Sequence, residues 1–235
     1  MLEKDLESWF RKLCEYASKP GNEHVQSSID IIDKCLENLN YDLNRFCISF
    51  NGGKDCTVLL HIFYTLLMKS LSNNRYRDSK PLALLILMPD NFPELNKFVE
   101  STVRRYGLNL ITFDGPDFKS ALKEFKHHPQ YETITHIFMG TRNSDLSEPI
   151  SYFQPTDEGW PSFTRVNPLL DWSYGQIWDF LLQLEIPYCS LYDRGYTSLG
   201  TRANTVLNPK LKDPNGSGYL PAYKLDDPRD ERQGR

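Results

Sequence analysis

RFCISFNGGKDCTVLLHIF, residues 45–63, changes texture twice. Residues 45–50 form a short apolar and aromatic run, the pattern of a strand, and it stops at Asn51-Gly52-Gly53. Immediately beyond, Val58, Leu59, Ile62, Phe63, Leu66 and Leu67 recur at helical spacing. The segment therefore reads as strand, glycine turn and helix. Glycine admits positive φ and lets backbone N–H groups approach a ligand closely. The helix that follows presents the positive end of its dipole, so phosphate is the natural guest of such a turn. Lys54 adds a point charge. Asp55 is out of place in a plain anion site and points to a metal ion or a ligand hydroxyl. The segment is not a GxxxxGK[ST] loop, because no glycine stands at the required spacing and Asp55 replaces the hydroxyl that would hold magnesium. A strand–helix turn without a ligand is the plain alternative.

Working outward, the unit repeats. Residues 82–88 (LALLILM), 108–113 and 135–139 read as further strands, with helices at 93–106 and 118–125 between them. Upstream, Leu2, Leu6, Trp9, Phe10 and Leu13, and then Val25, Ile29, Ile32, Cys35, Leu36 and Leu39, mark two helices. Regular pattern fades over 144–167, returns as a helix at 173–185, and is absent from the last fifty residues. The expectation is a single α/β domain, 1–235: N-terminal helices (1–44), a core with a mostly parallel twisted sheet and helices on both faces (45–185), and an irregular C-terminal extension (186–235). Sites in such sheets lie at the carboxyl ends of strands. Two of these ends carry unusual chemistry, at 51–55 and at Gly140-Thr141-Arg142-Asn143.

The chain has 235 residues, with 27 basic and 31 acidic side chains, for a net charge of −4. That balance argues against a broad nucleic-acid-binding face, so any anion must be held by a few placed groups. Five scattered cysteines without CxxC spacing support neither a zinc site nor a disulfide framework, and they fit reduced thiols in the cytoplasm. The N-terminus is too charged for a secretory signal, and no apolar run approaches the roughly 18 residues of a membrane span. The expected form is a monomer whose partners are small molecules, with neither nucleic acid nor membrane among them.

SxNGGKD after a strand resembles the modified PP-loop of the adenine-nucleotide α-hydrolase-like superfamily, whose fold is Rossmann-like and whose members cleave ATP between its α and β phosphates. The runs MGTRNSD from Met139, PTDEGWPSFTRVNPLLDWSYGQIWDFL from Pro155, PYCSLYDRGYTSLG from Pro187 and NTVLNPKL from Asn204 narrow the match. From Arg45 onward the chain is similar to eukaryotic FAD synthetases of the PAPS-reductase-like type, which are FMN adenylyltransferases. The resemblance implies ATP + FMN giving FAD + pyrophosphate, with magnesium. On that basis Ser49, Phe50, Asn51, Gly52, Gly53, Lys54 and Asp55 hold ATP, Asp55 also helps to place the metal, and Gly140, Thr141 and Arg142 complete the nucleotide pocket. Arg142 is equally consistent with an ion pair at the surface. Asn51, Asp55, Arg232 and Arg235 are the expected catalytic groups; without the resemblance, a charged terminus reads as solvated.

A flavin ring offers N3–H as a donor, and a carboxylate can accept from it. Asp171 beside Trp172 is the first choice for that contact, Asp157 with Trp160 the second, and Asp145 the third loop carboxylate. A turn or helix-cap role is the alternative for each. Phe153, Trp160, Phe163, Trp172, Tyr188 and Tyr192 are candidate walls for the ring, while Arg165 and Asn167 either reach the FMN phosphate or order the loop. Three rivals are weaker. A sulfonucleotide reductase needs a nucleophilic cysteine near its C-terminus, and none follows Cys189. A tRNA-modifying adenylase needs a basic surface. A non-catalytic nucleotide binder has no need of Asp55 and the terminal arginines together.

Overall fold

The computed structural model describes residues 3–72, 79–87, 90–114, 117–216 and 218–235. Two amphipathic helices, α1 (Glu3–Ala17) and α2 (Glu23–Asn38), precede β1 (Phe46–Ser49) and α3 (Lys54–Leu71). Then come β2 (Leu82–Leu87), α4 (Pro93–Tyr106), β3 (Asn109–Asp114), α5 (Phe118–His127) and β4 (His136–Phe138). Helix boundaries follow local chemistry. Pro93 opens α4 and Gly107 closes it with φ 61°. The Asp117 carboxylate accepts the Ser120 N–H at 2.8 Å to start α5.

The strands form one six-stranded sheet in the order β3-β2-β1-β4-β6-β5, where β5 is Phe153–Pro155 and β6 is Thr164–Val166. All neighbours are parallel except β5 and β6. The chain runs from β1 outward to β3 and returns to β4 on the other side of β1. The crevice between β1 and β4 is thus the topological switch point, where such sheets bind ligands.

Alternation along β1 separates two cores. Phe46 and Ile48 join the larger one, with residues of α1, α2, α3, α4 and α6 (Tyr174–Gln183), while Cys47 joins a smaller one built on Leu82, Leu84, Phe113, Phe125 and Ile137. Five helices therefore cover one face of the sheet, and α5 covers the other.

The expected α/β fold is present, and its first four strands lie where the sequence puts them; Met88, read as the end of the second, lies outside the described residues. The region 144–167 departs from its reading as a loop, because β5 and β6 extend the sheet there. Three residues are too few to display a period of two, and Pro155 reads as a breaker. Among its described residues, the extension beyond α6 contains only short 3-10 turns and one isolated bridge, Lys212 to Tyr219. No helix among the described residues is long and apolar enough to cross a membrane.

Candidate active site

Three constraints shape the glycine turn. Gly52 has φ 79°, and a Cβ there would stand 2.8 Å from Leu95 Cδ1 and 2.9 Å from Val99 Cγ2 on α4, so only glycine fits. The Asn51 side-chain oxygen accepts from Gly53 N–H at 2.9 Å and from the Cys56 thiol at 3.0 Å, which leaves its NH2 group for a ligand. Gly53 brings no side chain to cap α3, and the Tyr192 hydroxyl serves instead, accepting the Lys54 N–H at 3.0 Å. The end of β4 presses onto this turn: a Cβ on Gly140 would lie 2.9 Å from the Cys56 nitrogen. Burial pushes the Cys56 thiol up to about 12, so it remains a protonated donor at neutral pH.

Beneath the turn lies a compensated charge cluster. Lys54 Nζ is 3.1 Å from Asp55 Oδ2 and 2.5 Å from Glu231 Oε1. Arg142 Nη2 donates to both Glu231 oxygens at 2.7 Å, and its Nε lies 2.8 Å from Asp55 Oδ1, close but not aligned as a hydrogen bond. Arg232 Nη2 is 2.6 Å from Asp145 Oδ1. Three cations thus meet three carboxylates. Lys54, Arg142 and Glu231 are only 2%, 1% and 6% exposed. Burial works against the charge of Arg142, yet Asp55 and Glu231 outweigh it and raise its pKa. Burial likewise disfavours the Glu231 carboxylate, but Lys54 and Arg142 hold its pKa below the ordinary value. The Asp145 carboxylate is held low too, against its burial, by Arg232 and Arg142.

Above the cluster a cavity of about 350 Å³ opens at the carboxyl ends of β1 and β4, lined by Asn51, Gly53, Lys54, Asp55, Gly140, Thr141, Asp145, Tyr192, Glu231, Arg232 and Arg235, among others. A second cavity, of about 220 Å³, shares Ser49 and Met139 with it and lies on the α5 face of the sheet. Its lining is largely apolar: Leu84, Ile86, Phe118, Leu122 and Ile137, with Asp157, Trp160 and Arg165 at one side. Arg165 Nη2 reaches Asp157 at 3.0 Å, and its buried Nε has no hydrogen-bond partner among the described residues. A third hollow, of about 150 Å³, continues from Ser49 past Asn91 and Asn204.

The model of the phosphoadenosine phosphosulfate reductase domain matches residues 45–207. A probable FAD synthase of Schizosaccharomyces pombe is 43% identical over 214 residues, which cover 88% of this chain and 77% of that protein. The chain belongs to the FAD synthase family. A probable FAD synthase of Caenorhabditis briggsae is 35% identical over 98% of this chain, and the match spans only 46% of that longer protein. In solved structures, Candida glabrata FMN adenylyltransferase with FMN and the ATP analogue AMPCPP superposes with a TM-score of 0.87 at 26% identity, over 99% of both chains. The same enzyme in complex with FAD and inorganic pyrophosphate gives 0.85, again at 26% identity, over 99% of this chain and 98% of that one.

For this FAD synthase family member the structure sorts the expected residues. Of the nucleotide set, Ser49, Asn51, Gly53, Lys54, Asp55, Gly140 and Thr141 line the polar cavity, as do Arg232 and Arg235. Phe50 and Arg142 do not: Phe50 is wholly in the core, and Arg142 is committed to its ion pairs, buried rather than at the surface. Gly52 is spent on contact with α4. Of the flavin set, Asp157, Trp160 and Arg165 share the apolar cavity, whereas Asp145 and Tyr192 face the polar one.

The expectation for Trp172 is corrected. Its ring is 2% exposed against His24 and Phe180, and its indole N–H donates to Ser28 Oγ at 2.8 Å. Asp171 bonds Tyr152 and Asn143, Tyr188 bonds Asp193, and buried Asn167 donates to the Ser151 carbonyl; none lines these cavities. Phe118 and Glu231 are among the lining residues that escape the sequence reading. In the sequence Phe118 is only an apolar residue at a helix start, which the structure leaves half exposed, and Glu231 carries no signal at all.

Proposed function

We propose that this chain is an FMN adenylyltransferase, transferring AMP from ATP to the phosphate of FMN and releasing pyrophosphate. The observation that carries the reading is the meeting of two unlike cavities at Ser49 and Met139, beside the glycine turn. A polar hollow with amides and arginines suits a triphosphate, and an apolar slot with one aromatic wall suits an isoalloxazine ring. Their junction is where a flavin phosphate would meet an α-phosphate.

The substrate brings its own nucleophile. An FMN phosphate oxygen attacks the α-phosphorus in line, the bond to the β-phosphate oxygen breaks, and pyrophosphate leaves with that electron pair. The protein's work is to hold two anions together and to stabilise charge on the departing one. Asn51 NH2 and the first turn of α3 would bind the phosphates, with Arg232 and Arg235 neutralising the pyrophosphate. In the slot, Asp157 would accept the flavin N3–H, the unpartnered Arg165 Nε would donate to a ring carbonyl, and Trp160 would stack.

Magnesium belongs to the substrate in this reading. Among the described residues no group of three or more His, Cys, Asp or Glu can hold a metal by itself. Asp55 Oδ1 lacks a directed hydrogen bond, and one carboxylate plus substrate phosphates is magnesium's usual holding. Bound there, the ion would offset charge on the phosphates. The five free cysteines fit a reducing compartment such as the cytoplasm.

The purified chain with ATP, magnesium and FMN is expected to form FAD and pyrophosphate in equal amounts. No turnover with FMN, together with turnover on another phosphate acceptor, would overturn the assignment.

A further inference from the structure

The segment that carries Arg232 and Arg235 has no aliphatic or aromatic side chain apart from a proline. Residues 226–235 read DDPRDERQGR, and their only regular element is the 3-10 turn Pro228–Asp230. A charged stretch of that kind would ordinarily be solvated and mobile. Here it is pinned by polar contacts on both sides of Arg232. Thr197 Oγ1 donates to the Glu231 carbonyl at 2.6 Å, and Asn208 Nδ2 donates to the Asp230 carbonyl at 2.9 Å. The Val206 N–H donates to the Gly234 carbonyl at 2.8 Å. Between these, the Glu231 carboxylate turns inward and takes three charge-assisted bonds, one from Lys54 and two from Arg142.

The two buried cations are thereby occupied. Lys54 and Arg142 together meet Glu231 and Asp55, so their charge is matched before any phosphate arrives. Arg232 and Arg235 line the cavity as Lys54 does, but Arg232, though paired with Asp145 at 2.6 Å, keeps about half of its side chain exposed. We propose that Glu231 is a positioning residue: docked between Lys54 and Arg142, it fixes the register in which Arg232 and Arg235 face the triphosphate cavity. The cations of the glycine turn and of β4 then act on the substrate through the tail. This inference rests on the reading of the polar cavity as the triphosphate site.

The test uses the whole chain with Glu231→Gln, which keeps the shape and removes the charge. Three quantities are read: kcat for pyrophosphate release, KM for ATP, and FMN binding by quenching of flavin fluorescence without ATP. A displacement of about 1 Å in a charge-stabilising group can cost about 100-fold in rate, and a loss of that order in kcat is expected. FMN affinity should stay within about twofold, because the apolar cavity has no part in the cluster. Combining Glu231→Gln with Arg235→Ala should lose no more than about threefold beyond the worse single variant, since one acts through the other. Glu231→Asp should recover part of the rate. Multiplicative losses in the double variant would overturn the proposal. So would tighter ATP binding by Glu231→Gln, which would make Glu231 a stand-in for phosphate.

Should Glu231→Gln fail to fold, Thr197→Val leaves every ion pair in place while loosening the same segment. It should lower kcat about threefold to tenfold with FMN affinity unchanged; unaltered kinetics would count against the inference. Wild-type turnover separates the two levels. A wild-type chain that makes no FAD defeats the function, whereas an active wild type with an equally active Glu231→Gln defeats only the role of Glu231.

Discussion

The two cavities that meet at Ser49 are built on opposite plans. The polar one is assembled from distant segments, residues 49–56, 139–146, 192–199 and 231–235, and held by ion pairs whose partners lie as far apart as Lys54 and Glu231. The apolar one is mostly sheet surface, side chains of β2 and β4 beside Phe118 and Leu122 in the first turns of α5. One is a charge arrangement in which small displacements matter. The other is a shaped surface, which tolerates change in proportion to the area lost. Chemistry should therefore concentrate its sensitivity in the first and affinity in the second.

Arg235→Ala tests that division most sharply. Removing one preorganised group that stabilises a leaving oxyanion costs about 100- to 1,000-fold in turnover, and flavin binding should be untouched. A comparable loss of FMN affinity would dissolve the distinction. Asp157→Ala acts from the other side. A hydrogen bond to a charged group contributes about 1.5–3 kcal/mol, so the KM for FMN should rise on the order of tenfold to a hundredfold while the KM for ATP stays constant. Trp160→Ala removes one stacking face, worth about 0.5–1.5 kcal/mol, for a few-fold rise in the KM for FMN that Trp160→Phe largely restores. At the small end stands Asp171→Asn. Bonded to Tyr152 and Asn143 away from both cavities, it should leave FMN kinetics within about twofold. A large effect there would move the flavin site and reinstate the sequence's first choice.

That last contrast shows what sequence can and cannot display. β1 to β4 were legible because each is an apolar run bounded by glycine, asparagine or a helix pattern, which are local properties. β5 and β6 were not, since three-residue strands owe their existence to a neighbouring edge. The glycine turn announced itself, because positive φ and close approach leave few residue choices. The tryptophans did not sort themselves: Trp160 and Trp172 both stand next to acidic loops, and only the packing of α2 and α6 puts the second inside the core. Arg142 shows the same limit. Its position at a strand end was readable, but whether a guanidinium meets substrate or carboxylate depends on Glu231, 89 residues away.

The capping of α3 by Tyr192 and the docking of Glu231 on Lys54 bridge 138 and 177 residues of chain. During synthesis, the sheet around β1 to β4 can form while both partners are still untranslated. The first turn of α3 must wait with its leading N–H uncapped and Lys54 without its strongest counter-charge. The polar cavity is thus completed only after residue 231 has been made. A nascent chain that has not yet reached residue 231 would be a folded sheet whose polar cavity is only half built.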